Sequence, residues 1–235
     1  MSTTQNKRPI GRPKANGRSK GINRKDLLET AARLFNDRGF HGTSIQDLAT
    51  RLGVTKAALY HHVPNKQDLL YQLHMISLDA ADKATAQAIE EGRTGIERLR
   101  LLVYHYLSAI CASPTACLIL LEDDALREDH AKEVIDRRRK LEYGLRELIQ
   151  SGVDDGSIIP CDTKAATFVV VGAMNWVTKW YQPGGSWNAY QIADGISAIL
   201  ARSLASNPVS SLPTDISQPQ LTPFALPSDP TTPDS

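Results

Sequence analysis

Lys56, Tyr60 and His61 stand close together in the run Thr55-Lys56-Ala57-Ala58-Leu59-Tyr60-His61-His62, long hydrogen-bond donors flanking two alanines. Small residues between long donors let a helix sit deep in the major groove of DNA, where base edges present acceptors and the thymine methyl. Catalytic chemistry finds less support. His61 and His62 are adjacent, so on a helix their imidazoles diverge by about 100° and cannot share a metal; Asp123 and Asp124 diverge in the same way. The chain has no nucleophile motif, no glycine-rich phosphate loop and no HExxH pair, so neither an enzyme nor a cofactor is expected.

The elements that must position these donors are legible on either side. Ile45, Leu48, Ala49 and Leu52 recur at helical spacing, Thr43 or Ser44 can cap the start with Gln46 or Asp47 three residues on, and Gly53 ends the helix. Thr55 can cap a second helix, Lys56 to His62, with Val54, Leu59 and Val63 facing inward and Pro64 forcing a stop. A preceding helix, about Arg24 to Arg38, places Leu28, Ala31, Ala32 and Phe35 against these two and ends at Gly39. The pattern predicts a helix-turn-helix; taken alone, it also fits a helical hairpin that packs a core and touches no ligand.

Thr-Ser followed by Leu-Ala, Gly-Val-Thr-Lys, Leu-Tyr-His-His-Val and Asn-Lys-Gln-Asp-Leu-Leu, behind Leu-Phe-Asn-Asp-Arg-Gly-Phe at 34–40, resembles the DNA-binding domain of the TetR family of bacterial regulators over Arg24 to about Leu73. The resemblance implies an all-α fold, with a three-helix helix-turn-helix domain followed by a helical domain for effector binding and dimerisation. It implies that Thr43, Ser44, Thr55, Tyr60 and Lys66 hold phosphates, which set register without reading sequence. Gln46, Lys56 and His61 are then the base-edge readers. Lys56 is suited to guanine O6 and N7, and Ala57 and Ala58 to a thymine methyl.

The chain has 235 residues, 41% of them apolar, enough for a core, and a formal net charge of only +1. That charge is unevenly placed. Lys7, Arg8, Arg12, Lys14, Arg18, Lys20, Arg24 and Lys25 precede the first acid, Asp26, so phosphate neutralisation and counterion release are concentrated at the N-terminal end. Residues 1–22 lack apolar periodicity and predict a flexible basic arm. Within it Gly11-Arg12-Pro13-Lys14 resembles the centre of an AT-hook, in which an arginine enters a narrow minor groove, but Ile10 stands where an arginine should, and generic phosphate attraction is the alternative. Cys111, Cys117 and Cys161 form neither a CxxC pair nor a disulfide framework. With no membrane span and no signal segment, the expected compartment is the bacterial cytoplasm.

A long helix from Lys66 to about Glu91, with Leu69, Leu73, Ile76, Ala80 and Ala84 on its stripe, spans roughly 35 to 40 Å and leads away from the DNA-reading unit. After Gly92 and Gly95, Ile96, Leu99, Val103, Tyr106, Leu107 and Ile110 mark an amphipathic helix. Pro114 starts another segment, in which Leu118, Leu120 and Leu121 precede Glu122, Asp123 and Asp124. A helix from about His130 to Gly152 carries Val134, Leu141, Leu145 and Leu148, with Arg138 on the same face. Thr163 to Tyr181 is apolar almost all round, so something must cover it. With the helix from Asn188 to Leu204 it is suited to pairing with a second copy, small Gly172, Ala173, Gly195 and Ala198 allowing close approach; the alternative is that both close the monomer's own core. From Ala205 the Pro-, Ser- and Thr-rich sequence predicts a disordered tail.

An arginine in an apolar stripe must find an anion or reach water, so Arg138 is either paired with Glu122, Asp123 or Asp124, or snorkelling, or binding a ligand anion beside Arg137 and Arg139. Asn175, Trp176, Lys179 and Trp180 set aromatic faces beside polar groups, as in an amphipathic ligand pocket or a packed core. The segment Asn-Trp-Val-Thr-Lys-Trp-Tyr-Gln-Pro-Gly-Gly resembles TetR-family members that respond to acyl-CoA thioesters, which implies an acyl group inside the bundle and phosphates near Arg137, Arg138 or Arg139. The expected organisation is an arm at 1–22, a DNA-binding domain at 23–68, an effector and dimerisation domain at 69–204 and a tail at 205–235. The expected partners are double-stranded DNA, a second copy through the last two helices and a small effector, an acyl-CoA being the candidate. An architectural DNA-binding protein without an effector is the alternative.

Overall fold

In the computed structural model, which describes residues 22–113, 123–182 and 184–207, eight α-helices carry the described chain. They are α1 (Arg24–Arg38), α2 (Ile45–Leu52), α3 (Lys56–Tyr60), α4 (Lys66–Glu91), α5 (Gly95–Ala112), α6 (Glu128–Asp154), α7 (Thr163–Trp180) and α8 (Ala189–Leu204), with a short 3-10 turn at Asp123–Ala125. Arg12, the rest of the arm through residue 21, Cys117, the leucines and Glu122 of 114–122, and residues 208–235 lie outside the described residues.

Local chemistry sets the first boundaries. Ser44 and Asp47 form a reciprocal capping box at the start of α2, and Gly53 closes it in the left-handed conformation (φ 70°) that a β-carbon would penalise. Thr55 caps α3 through the Ala58 amide, and Asn65 caps α4 through that of Asp68. The helix predicted over Lys56 to His62 is shorter, ending at Tyr60 with His61 as its cap.

Two apolar cores result. Leu27, Leu28, Ala31, Phe35, Leu48, Leu59, Val63, Leu69 and Leu73 join α1 to α4 in the first. Leu99, Val103, Leu107, Leu145, Ile149, Val170, Val177, Ile192 and Ala201 fill the second. Two helices reach both. α4 runs from Leu69 in the first core to Ala88 in the second, and α6 puts Val134 into the first and Leu145, Leu148 and Ile149 into the second. Ala125 and Leu126, just before α6, also pack into the first core. The sequence pattern assigns α6 to the C-terminal bundle alone; periodicity shows which face is buried but not against what.

α5 departs from its amphipathic expectation. It is enclosed by α4, α6, α7 and α8, and holds even Arg100 and His105 inside, where Arg100 Nη2 lies 3.1 Å from Asp194 Oδ1 of α8 and His105 Nε2 lies 3.0 Å from Glu91 Oε2. The chain past α8 is also tied down for longer than expected. Ala205, expected to open the tail, bridges Ile158 and is buried.

α5 and α6 meet at Gly95 and Gly152, where a β-carbon on Gly95 would overlap the Gly152 backbone. Gly95→Ala is therefore expected to destabilise the fold by about 1–3 kcal/mol through overpacking. Gly144→Ala, in the middle of α6 with open space around it, is expected to stabilise by roughly 0.5–1 kcal/mol through helix propensity. Urea denaturation of the pair checks the opposite signs.

Candidate nucleic-acid interface and effector cavity

α3 stands proud of the first core on Leu59, which is fully buried, while Thr55, Lys56, Ala57, Tyr60 and His61 are exposed and Ala58 is half-buried. Lys56 Nζ lies 5.8 Å from the centre of the Tyr60 ring, so the two long side chains share one side of the helix. At the start of α2, its cap Ser44 and Gln46 are also exposed. Ser44 is occupied in the capping box, whose hydrogen bonds hold the Asp47 carboxyl below the usual carboxylate range.

Two of the residues expected to hold phosphates turn inward instead. Thr43 is buried, its hydroxyl lying 2.9 Å from the Gly39 carbonyl and 3.1 Å from that of Leu34. Lys66 donates from Nζ to the carbonyls of Phe40 (2.6 Å) and Thr43 (2.8 Å), and sits 3.9 Å above the Phe40 ring. Thr43 ties the α1–α2 loop back to the end of α1, and Lys66 clamps the same loop to α4. A resemblance matches positions, and a side chain at a matched position can still satisfy its own loop.

The second feature is a cavity of about 300 Å³ among α4, α5, α6 and α7. Leu102, Tyr106, Leu141, Leu145, Val171 and Met174 make it mainly apolar, with Ser77, Thr85, Arg138, Glu142 and Asn175 as polar points. That size and lining suit a small ligand with an apolar body and a polar end. Sequence reasoning missed its α4 wall. Ser77, Ala81 and Thr85 recur every four residues beside an otherwise apolar stripe, and such small or hydroxylated positions leave room rather than fill it.

Of the residues expected to bind effector, Arg138, Arg139 and Asn175 line the cavity. Arg137 does not. Burial works against its charge, but Asp79, whose Oδ1 lies 2.8 Å away, and Asp82 outweigh this and raise its pKa, so it ties α6 to α4. Arg139 is largely exposed and pairs with Asp136. Trp176 is 67% exposed, Trp180 stands edge-on to Trp187, and Lys179 faces a wider cleft between α1, α2 and the ends of α5 and α7. Trp176 instead joins Phe168, Val169 and Ile199 in an exposed apolar face of α7 and α8.

A polar seam joins α4 to α6 between the interface and the cavity. The Tyr71 ring stacks on His130 at 3.9 Å and its hydroxyl donates to Glu133 (2.7 Å); burial and that bond push the Tyr71 pKa up to about 12. Gln67 donates to the Ala125 carbonyl. No group of three or more possible metal ligands, and no helix long and apolar enough to cross a membrane, occurs among the described residues.

Residues 27–73 match the model for bacterial regulatory proteins of the tetR family, and residues 92–204 that for the tetracyclin repressor-like C-terminal domain. The chain is 28% identical over 181 residues, 75% of its length and 88% of the relative's, to the HTH-type transcriptional repressor KstR2 of Mycolicibacterium smegmatis. Among solved structures it is similar to the TetR-family regulator PfmR from Thermus thermophilus (TM-score 0.68, 30% identity, 75% of this chain and 97% of that one). It is likewise similar to AibR in complex with isovaleryl coenzyme A and operator DNA (TM-score 0.64, 32% identity, 74% of this chain and 95% of that one).

Proposed function

Because the chain belongs to the TetR family of bacterial transcriptional regulators, we propose that it is a ligand-responsive repressor that binds an inverted-repeat operator as a homodimer in the cytoplasm and lets go when a small hydrophobic effector enters its cavity. One observation carries the reading. The helix capped by Asn65, directly behind the exposed face of α3, continues without a break until its own Ser77, Leu78, Ala81 and Thr85 form a wall of the cavity.

DNA contact falls to Ser44, Gln46, Thr55, Lys56, Ala57, Ala58, Tyr60 and His61, with Arg12 of the arm adding charge. Tyr60 and Thr55 hold phosphates and Lys56 reads guanine. The exposed face of α7 and α8 pairs two copies, and Gly172 and Gly195, around which a β-carbon would meet nothing, let the partner helices come close. Two α3 helices then present themselves at a spacing near one helical turn of DNA or a multiple of it. An effector that prefers another spacing shifts the population toward free protein, acting through α4 and through α6, which also reaches both cores.

The effector class follows from cavity size and charge. A space of about 300 Å³ is at the lower end for small-molecule sites, enough for a short acyl group, with Arg138 at its polar side. An acyl-CoA supplies such a group and an oxygen for the guanidinium, and the relative AibR is described with isovaleryl coenzyme A.

Selection of operator from random duplex DNA, followed by release with acyl-CoA probes, tests the proposal. A selected inverted repeat bound in the nanomolar range and freed by an acyl-CoA is the expected result; equal affinity for scrambled DNA would make it an architectural protein. Within the selected site, Lys56→Ala is expected to lose about 1–3 kcal/mol of discrimination at one base pair of each half-site. A binding series across operator variants that shows a uniform loss would move Lys56 to the phosphates.

A further inference from the structure

The cavity and the wider cleft beside Lys179 lie along one line through the molecule. On α5, Leu102 and Tyr106 line the cavity and Ile110 and Ser113 the cleft; on α7, Val171 and Asn175 line the cavity and Thr178 and Gln182 the cleft. Each set recurs every three or four residues, so each is one helix stripe continuing from the first space to the second, roughly 16 Å from Leu102 to Ser113. What changes along the line is the opposite wall. α4 and α6 face the cavity, whereas α1 and α2 of the DNA-binding unit face the cleft, a space of about 1090 Å³. The charge changes with it. Among the described residues the cleft is lined by four cations, Arg33, Arg38, Arg51 and Lys179, against two acids, Asp37 and Asp47. The Asp47 carboxylate already accepts from the amide and hydroxyl of Ser44, and Arg33 meets Glu29 of its own helix only at 3.8 Å, an exposed pair of little strength.

We propose that the cleft is the second half of the effector site and takes the polyanionic tail of a coenzyme A thioester, its diphosphate and 3′-phosphate, while the acyl end lies in the cavity. This rests on the acyl reading above. Arg137 and Arg139, expected near those phosphates, are paired instead with Asp79 and Asp82 and with Asp136. The cations of the cleft come from three different helices, which suits a group whose negative charge is spread over two positions, and three of them carry the forked guanidinium that matches phosphate. The consequence is a direct coupling. A tail held there bridges α1 and α2 to the ends of α5 and α7, so the ligand biases the pose of the DNA-reading unit by touching it, in addition to acting through α4.

Three probes are titrated calorimetrically into the full-length protein: isovaleryl-CoA, isovaleryl-pantetheine, which keeps the thioester but has no phosphate, and coenzyme A alone. Wild type is expected to bind isovaleryl-CoA at least about tenfold more tightly than isovaleryl-pantetheine, an advantage that shrinks as salt is raised. Arg33→Gln combined with Lys179→Gln changes two exposed side chains, one on each side of the cleft. This double variant is expected to weaken isovaleryl-CoA by about tenfold and to leave isovaleryl-pantetheine within about threefold. Equal affinity of wild type for the two thioesters, or a loss in the variant that falls on both alike, would overturn the proposal and leave the acyl reading in place. If wild type takes neither thioester but takes coenzyme A, and the variant loses it, the acyl class fails and the cleft keeps its assignment; if coenzyme A does not bind either, both fail. A variant that loses operator affinity while its isovaleryl-CoA binding is intact would give these cations to DNA and overturn the proposal.

Discussion

Glutamate at both Trp176 and Ile199 is expected to leave a folded monomer whose affinity for its operator is at least about 100-fold lower. Both side chains are about two-thirds exposed on α7 and α8, 67% and 69%, so replacing them removes few contacts from the subunit's own core. Phe168 and Val169 of α7 are also exposed, and large apolar side chains gathered on exposed helix faces mark an interaction surface. Burying two carboxylates per subunit against a partner without counter-charges costs several kcal/mol, more than a buried tryptophan contributes. DNA affinity falls because the second half-site is normally bound at an effective concentration that linkage raises by about 10²–10⁴. Analytical ultracentrifugation and operator titration measure the two effects together. A variant that still sediments as a dimer would assign the face to something other than self-association, while a monomer of unchanged operator affinity would remove the two-fold reading of DNA.

The second large effect separates effector binding from DNA binding. Ala81 is a small residue of α4 on the cavity wall, so Ala81→Trp sets an indole into open space of about 300 Å³ instead of a filled core. The usual penalty for overpacking is thereby reduced, and the occupied volume is the one the acyl group needs. The expected outcome is loss of acyl-CoA binding by about 100-fold or more and an operator affinity that added acyl-CoA no longer changes. Thermal shift with and without isovaleryl-CoA, followed by operator titration, provides the readout. Persistent release of DNA by the ligand would place the effector elsewhere, for instance in the cleft by Lys179.

Much of the DNA-binding unit was legible because its signals are local. Caps at Ser44 and Thr55, the left-handed Gly53 and the stripe of α4 are each decided within a few residues, and the bounds of α1, α2 and α4 agree with the reading from sequence. What escaped depends on distant neighbours. Nothing within α6 says that Val134 belongs to one core and Leu145 to the other. The three arginines look alike until Asp79 and Asp82 claim Arg137 and His74 meets Arg138. Trp176 resembles a pocket residue by composition and becomes part of an exposed face only when the rotation of α7 is known. Thr43 and Lys66 show the same limit at the DNA end, where the carbonyls of Gly39, Phe40 and Thr43 compete with phosphate for the same donors.

Methylation interference at guanine N7, which lies in the major groove, tests the pairwise presentation of α3 most directly. On the selected operator it is expected to mark two symmetric patches on one face of the duplex, their centres about 34 to 36 Å apart or a multiple of that, and Lys56→Ala should erase a guanine in each. A single patch, or interference indifferent to both modified guanines and Lys56, would contradict the account.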